Sequence, residues 1–176
     1  MNERSPRLLP AALSDYAPWP AVRPHTGREL ARLLALLEGG GFRGGGVALG
    51  HGRDAASRDA AAAFADAWQG SGGWLAEVVD WPEDAASWLR QARRLTRAEP
   101  DAWVVAAGSV GWAQMSRRLR HSTVWDPRRT FGFASAGDSR LATAAGSGVL
   151  DGMRGATADG RVWMIRRGWL VESDDE

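Results

Sequence analysis

The chain has 176 residues, of which 44% are hydrophobic and 24% are charged, and its formal net charge is +1. This length and composition are typical of one soluble globular domain. The nearly neutral charge gives no general attraction to nucleic acid or to a membrane surface, so neither is an expected partner. No apolar run is long enough to cross a bilayer, and residues 1–20 lack the apolar stretch of a secretory signal, so we expect a cytoplasmic protein.

Residue types that the chain lacks narrow its chemistry further. There is no cysteine, which excludes disulfides, thiol catalysis and cysteine-type zinc sites. All 22 basic residues are arginine, which excludes a P-loop lysine and a Schiff-base lysine. The three histidines stand far apart in sequence and give no multi-histidine metal signature. We therefore expect neither a metal nor an organic cofactor.

The first elements can be read from proline, leucine and glycine positions. Residues 1–25 are rich in proline and arginine and are predicted to form an N-terminal arm. Thr26 precedes a stretch in which leucines recur at helical spacing, and glycines 39–41 end it, so we predict a helix between them. The short apolar run 46–50 predicts the first strand.

Helices and strands alternate along the rest of the chain. The predicted elements, in order, are a helix over 56–73, a strand over 74–81, a helix over 82–99 with Pro82 at its start, a strand over 100–108, a helix over 109–122, a strand over 130–137, a weaker helix over 140–156 and a strand or hairpin over 161–172. This alternation predicts an α/β fold, a three-layer sandwich with a mostly parallel central sheet of about five strands. One lobe over 26–171 is predicted between the arm and an acidic tail at 172–176.

Candidate site residues follow from a rule for open parallel sheets, in which ligands bind beyond the carboxyl ends of the strands. Six residues at predicted strand ends are our candidate ligand-binding residues: His51, Arg53, Asp80, Trp81, Ser109 and Ser135. For each residue alone, capping a helix or fixing a turn is the simpler interpretation. Their common position at one edge of the predicted sheet favours a binding site.

Two more specific chemistries find weaker support. His51, Asp80 and Ser109 have the residue types of a nucleophilic triad, but Ser109 lies in AAGSVGW and not in a G-x-S-x-G elbow. The stretch GGGVALGHGRD invites comparison with a dinucleotide-binding loop. Its Gly50 and Gly52 have the first interval of that fingerprint, yet Ala55 stands at the third position. No catalytic residue is assigned.

The ten tryptophans are predicted to have different roles. Four at helix or strand positions are expected in the core: Trp68, Trp74, Trp88 and Trp103. For three near strand ends or loops, contact with a ligand at the cleft and packing in the core or at the rim both remain open: Trp81, Trp112 and Trp125. Trp163 and Trp169 flank MIRRG and would form a contact surface if that segment is an edge strand.

The stretches PDAWVVAAGSVGWAQMSRRLR and PRRTFGFASAG resemble a known fold family, the type I periplasmic-binding-protein fold. The resemblance is to the branched-chain amino acid type of ABC-transporter solute-binding protein. VALGHGRD, EVVDWPEDA and LDGMRGA follow the order of that family's second lobe, so the resemblance covers about residues 27–160. It implies a Rossmann-like lobe with a ligand cleft. Complete members close two lobes on their ligand, whereas this chain has the length of one and no lipobox cysteine.

Three functions remain open from the sequence. The first is binding or sensing of a small polar or amino-acid-like ligand at the strand ends. A homodimer or a protein partner would then cover the open side of the cleft, because a ligand needs most of its surface buried. The second is a protein-interaction module without a ligand, and the third is a small enzyme that uses His51 as a base.

Overall fold

The computed structural model describes residues 18–173, which fold around a seven-stranded sheet with the order β2-β1-β3-β4-β5-β6-β7. Its elements are α1 (Gly27–Gly39), β1 (Gly46–Gly52), α2 (Ala55–Gly70), β2 (Trp74–Trp81), α3 (Leu89–Arg97), β3 (Ala102–Ala106), α4 (Ser109–Ser122), β4 (Thr130–Gly132), α5 (Ser139–Ala145), β5 (Arg154–Ala156), β6 (Val162–Arg166) and β7 (Trp169–Ser173). Strands β1 to β5 pair in parallel, and β6 and β7 continue the sheet in antiparallel fashion.

The predicted α/β fold with a mostly parallel sheet is confirmed, but the sheet has seven strands and not about five. The predicted helix over 140–156 ends at Ala145, because Gly146 adopts a φ of +104° that a helix does not allow. The chain then forms β5 within the same predicted helix. The predicted terminal strand is a hairpin, which turns at Arg167 and Gly168 with φ values of +51° and +77°.

A second difference concerns the segment after β2. We predicted a helix from Pro82, but residues 82–88 form an irregular loop and α3 begins at Leu89. The loop places the Glu83 carboxylate on the backbone N–H of Gly111 (2.6 Å) and buries Trp88. A regular helix from Pro82 would point the side chains of Glu83 and Trp88 in other directions and would not form these two contacts.

The helices form one layer on each face of the sheet. In β3, Trp103 and Val105 belong to the apolar cluster that includes α3, α4 and α5, whereas Val104 belongs to the cluster that includes α1 and α2. Alternate residues of this central strand therefore face opposite layers, as expected for a strand covered on both sides. The three-layer arrangement is the one predicted.

Burial of the tryptophans corrects part of the prediction. Trp81, Trp112 and Trp125 lie in the core in ring contact with one another, with centroids 6.0 and 5.8 Å apart. Trp74 is exposed because β2 is an edge strand that pairs only with β1. Trp169 is exposed on β7, the other edge.

The ends of the described chain bear on the predicted boundaries. Residues 18–25 of the predicted arm are extended chain before α1, and residues 1–17 lie outside the described part. Strand β7 runs to Ser173, so the first two residues of the predicted acidic tail belong to the sheet, and residues 174–176 are outside the description. Within residues 18–173, no helix combines the length and apolar character needed to span a membrane.

Candidate functional site

The strand order creates a crevice between the carboxyl ends of β1 and β3. The chain leaves β1 for β2 on one side of β1, whereas it leaves β3 for β4 on the other side. Helices α2 and α4, which follow these strands, therefore begin at the same sheet edge but on opposite faces. Such a reversal of direction is where ligands bind in open α/β sheets.

A cavity of about 470 Å³ lies at this edge. Its lining comes from the arm, α1, the first turns of α2, the end of β3, the segment between β4 and α5, the loop between β5 and β6, and β7: Pro20, Ala21, Val22, Arg23, Pro24, His25, Glu29, Ala56, Ser57, Ala60, Ala106, Gly108, Phe133, Ala134, Ser135, Gly137, Asp138, Ser139, Ala158 and Leu170. Ligand cavities in proteins typically range from about 300 to 1,000 Å³, so this one is large enough for a small organic molecule.

Residues 18–25, which we call the strap, form one wall of the cavity. Arg140 fixes the start of the strap, because its Nη1 donates to the carbonyl oxygen of Pro18 (3.1 Å) and its guanidinium lies 5.3 Å from the ring centre of Trp19. The ring of His25 meets Phe133 edge-on at 5.9 Å at the other end. The strap therefore covers part of the face that a single lobe would otherwise leave open.

Asp138 orients Arg140 towards the strap. The Asp138 carboxylate caps α5 by accepting from the backbone N–H of Arg140 (2.8 Å), and it also accepts from Nη2 of that guanidinium (2.8 Å). Burial alone would raise the pKa of Asp138, but the hydrogen bonds and charge of Arg140 hold it below its ordinary value. The pair stays ionised at neutral pH, so the guanidinium keeps a fixed position at the mouth of the cavity.

Glu29 is a buried carboxylate on the α1 side of the cavity. It completes a capping box with Thr26, whose Oγ1 accepts from the Glu29 N–H (3.1 Å). Glu29 Oε1 accepts from the backbone N–H of Ala134 (2.6 Å), 105 residues away along the chain. A local helix cap thereby also ties α1 to the loop after β4.

Two oxygens at the start of α2 have no hydrogen-bond partner within residues 18–173: Asp54 Oδ2 and Ser57 Oγ. The other Asp54 oxygen caps α2 through the backbone N–H of Ser57 (2.8 Å). Ser57 lines the cavity, although only 1% of its surface is exposed. A buried polar atom without a partner is costly, and at the edge of a cavity it indicates a place for a ligand or a bound water.

The N-terminus of α4 is occupied by a carboxylate of the chain itself. Glu83 accepts from the backbone N–H of Gly111 (2.6 Å), and its Oε1 lies 2.9 Å from the position that a Cβ on Gly108 or on Gly111 would take. Burial raises the pKa of Glu83, the Gly111 N–H lowers it, and the charge of Asp54 raises it again, with a net upward shift. The two glycines are needed here because any side chain would displace the carboxylate.

Three of the predicted site residues lie at the β1–β2 end of the same edge and do not line this cavity. Arg53 Nε pairs with Asp80 Oδ2 at 2.6 Å, mostly in solvent. The hydrogen bond from Arg53 lowers the pKa of Asp80. His51 is the sixth residue of β1 and not a residue beyond it, and its Nδ1 lies 2.7 Å from the carbonyl oxygen of Gly52.

The other three predicted residues have different positions. Trp81 is 0% exposed and packs in the core, so the prediction that it faces the ligand is wrong. Its ring fills the space above Gly50, where a Cβ would approach it to 2.5 Å. Ser109 is buried, and its Oγ donates to the carbonyl oxygen of Ser135 (3.4 Å). Ser135 is the predicted residue that lines the cavity.

His51, Asp80 and Ser109, which have the residue types of a nucleophilic triad, each contact a different group. The imidazole of His51 contacts Gly52, the carboxylate of Asp80 pairs with Arg53, and the hydroxyl of Ser109 donates to the loop after β4. A nucleophilic triad requires the base to contact both the hydroxyl and the acid. This arrangement is that of capping and pairing groups at a sheet edge, and it provides no hydroxyl activated by histidine.

Comparison of the whole fold with solved structures finds periplasmic solute-binding proteins. A substrate-binding periplasmic protein from Ralstonia solanacearum superimposes with a TM-score of 0.65 and 17% identity over 77% of this chain and 37% of its own. A solute-binding protein of an ABC transporter from Rhodopseudomonas palustris BisB5, in complex with 3,4-dihydroxybenzoic acid, gives 0.62 and 17% over 74% and 35%. A branched-chain amino acid ABC transporter periplasmic ligand-binding protein from Burkholderia xenovorans gives 0.60 and 14% over 74% and 34%.

The chain has the fold of one lobe of these proteins. It spans little more than a third of their length, since the superpositions cover 34% to 37% of each of these three proteins. No protein-family model matches the sequence, and no curated protein matches it. The resemblance to a single lobe of the periplasmic-binding-protein fold is thereby confirmed at the level of structure.

Proposed function

We propose that the protein binds a small polar molecule in the strand-end cavity. The observation that carries this proposal is Ser57, a buried hydroxyl without a hydrogen-bond partner in the described chain that lines a cavity of about 470 Å³. The position of the cavity at the reversal point between β1 and β3 supports the same function. A ligand that hydrogen-bonds to Ser57 would remove the cost of that unpaired group.

The strap makes binding by one lobe physically reasonable. A ligand in an open half-cleft would leave much of its surface in water and bind weakly. Here residues 20–25 form one side of the cavity, and three of the strap residues are proline, which limits the entropy lost when the strap is ordered. We propose that the strap takes over part of the closing role that a second lobe has in two-lobed proteins.

Native mass spectrometry of freshly purified protein, followed by a small-molecule thermal-shift screen, tests this function. We expect a carried or screened ligand to bind the natural chain and to bind Ser57→Ala more weakly. Thr123→Ala is a matched control, because this hydroxyl lies outside the cavity and bonds to the carbonyl oxygen of Leu119 (2.7 Å). If Ser57→Ala and the natural chain bind every ligand equally well, the cavity is not the binding site.

A homodimer is a second proposal, supported by the sheet edge at β7. Trp169 is 74% exposed there, and Val171 is exposed on the same strand. An unpaired edge strand with exposed apolar side chains is a common surface for pairing with another chain. Light scattering should show a dimer that Trp169→Ser weakens and that Val124→Ser, at a residue 79% exposed on a loop, leaves unchanged. A monomer at all concentrations would refute the dimer and leave the cavity proposal intact.

A further inference from the structure

The unpaired oxygens beside the cavity are both hydrogen-bond acceptors that can receive a donor. Asp54 Oδ2 and Ser57 Oγ lie 2.8 and 3.1 Å from the position that a Cβ on Gly52 would take, so both oxygens lie against the end of β1. Neither has a hydrogen-bond partner within the part of the chain that the structure describes. An ionised carboxylate oxygen in such a place is stabilised most by a charged donor.

Carboxylates of the chain itself already lie at the N-termini of two helices at this edge. The free N–H groups at the start of a long helix attract anions, and α2 and α4 both begin here. The Asp54 carboxylate caps α2, and the Glu83 carboxylate accepts from Gly111 in the first turn of α4. A carboxylate on a ligand would therefore meet a like charge at each of these two helix starts.

The charges around the cavity also favour a cation. Asp54 accepts from the N–H of Ser57, and Glu83 lies against Gly108, so each of these carboxylates touches a residue of the lining. Glu29 adds a third carboxylate, while the negative charge of Asp138 is balanced by Arg140. The basic groups in the lining belong to the strap, and they are the exposed side chain of Arg23 and the imidazole of His25.

We propose that the ligand of this cavity is a small organic amine, protonated at neutral pH and without a carboxylate, whose ammonium group binds at Ser57, next to the Asp54 carboxylate. This inference rests on the proposed function, since it names the chemical class of the ligand for the same cavity. An ammonium group has three N–H donors and matches the two unpaired acceptors, whereas a neutral molecule of the same size would leave the Asp54 charge uncompensated.

NMR titration with n-butylamine, butyrate and 2-aminobutyrate tests this inference at low ionic strength. The three probes have the same carbon skeleton and differ in charge. We expect n-butylamine to shift the backbone amide signals of Ser57 and Gly108 in a saturable way, and the two carboxylates to bind at least about tenfold more weakly. Added salt should weaken the binding of n-butylamine, because the attraction is between charges.

Variants locate the ammonium group. Asp54→Asn removes the charge but keeps α2 capped, because asparagine caps helices as well as aspartate does, and it should weaken n-butylamine binding about tenfold or more. Asp126→Asn is the matched control, since Asp126 is also an N-cap that accepts from a backbone N–H (that of Arg128, 2.9 Å), and its hydrogen-bond partners lie outside the cavity lining. Ser57→Ala gives a second test if the first variant does not fold.

The outcomes separate the two proposals. Saturable binding of butyrate or 2-aminobutyrate at Ser57 and Gly108 without binding of n-butylamine overturns the amine assignment and leaves the cavity as a ligand site. Binding of n-butylamine that Asp54→Asn and Ser57→Ala do not change also overturns it. If none of the probes binds, the amine assignment fails, and the mass-spectrometric screen then decides the proposed function by itself.

Discussion

Arg140 is the residue whose removal should open the strap. Its guanidinium donates to the Pro18 carbonyl (3.1 Å) and lies 5.3 Å from the Trp19 ring. An exposed cation–π contact contributes about 0.5–1 kcal/mol, and a hydrogen bond contributes about 0.5–1.5 kcal/mol net. Arg140→Ala should therefore cost the closed strap about 1–2.5 kcal/mol and raise the open population about 5- to 60-fold.

Thiol labelling can measure this change, because the natural chain has no cysteine. Ser57→Cys introduces one thiol at a position that is 1% exposed and lines the cavity, so a reagent reaches it only while the cavity is open. We expect the labelling rate of Ser57→Cys to rise by the same factor when Arg140→Ala is added. The labelling rates of Ser57→Cys with and without Arg140→Ala are compared in native buffer. Urea denaturation of each variant confirms that both remain folded under these conditions.

The chain supplies a matched control at a second Asp-x-Arg pair. Arg128 binds Asp126 through its backbone N–H (2.9 Å) and its Nη2 (3.1 Å), in the same pattern as Arg140 and Asp138, but it has no contact with the strap among its hydrogen bonds. Arg128→Ala should leave the labelling rate unchanged. Equal labelling rates in the Arg140 and Arg128 variants would refute the view that the guanidinium closes the strap.

Two further predictions concern the packing of β1 and the titration of Glu83. Gly50→Ala should destabilise the fold by about 1–3 kcal/mol in urea denaturation, because its Cβ would lie 2.5 Å from the buried Trp81 ring, whereas Gly70→Ala, with nothing within 4 Å, should not destabilise it. Burial and the charge of Asp54 raise the pKa of Glu83 above 4.5, so the stability that this carboxyl contributes is complete at low pH and is lost as the pH rises through its folded-state pKa. Glu83→Gln should therefore be more stable than the natural chain at pH values above the ordinary glutamate pKa and gain nothing at low pH. A variant that is less stable than the natural chain at neutral pH would contradict the shift.

The alternation of predicted helices and strands along the chain was enough to predict the α/β fold. The central strands are short apolar runs between helical segments, which predicts a parallel sheet with crossover helices but does not predict the order of the strands. The parts that the sequence did not reveal are those in which backbone geometry decides. Gly146 ends α5 early through its positive φ, and the three-residue strand β5 is too short to carry a periodic pattern.

The candidate cavity lies at the edge of the sheet where the sequence predicted a site, and of the six predicted residues Ser135 lines it. Trp81 stands at a strand end in the sequence, yet the absence of a side chain at Gly50 lets its ring turn into the core. The sequence gives no indication that Ser57 belongs to a site, because it is simply the third residue of a helix that Asp54 caps. Nothing in the sequence shows that this hydroxyl is buried without a partner, because that depends on the packing of α2 against the strap and the sheet.

Similarity of fold shows the architecture and not the ligand, so the class of ligand has to be argued from the chemistry of the cavity. One of the similar structures holds a benzoic acid derivative, which is a carboxylate at neutral pH. In this chain the two helix N-termini that favour an anion are filled by Asp54 and Glu83. A carboxylate ligand would have to expel a covalently tethered competitor at high effective concentration, whereas an ammonium group would meet those same carboxylates as partners. The position of the cavity thus follows from the topology of the sheet, and in our proposal two acidic side chains set the sign of the charge that it accepts.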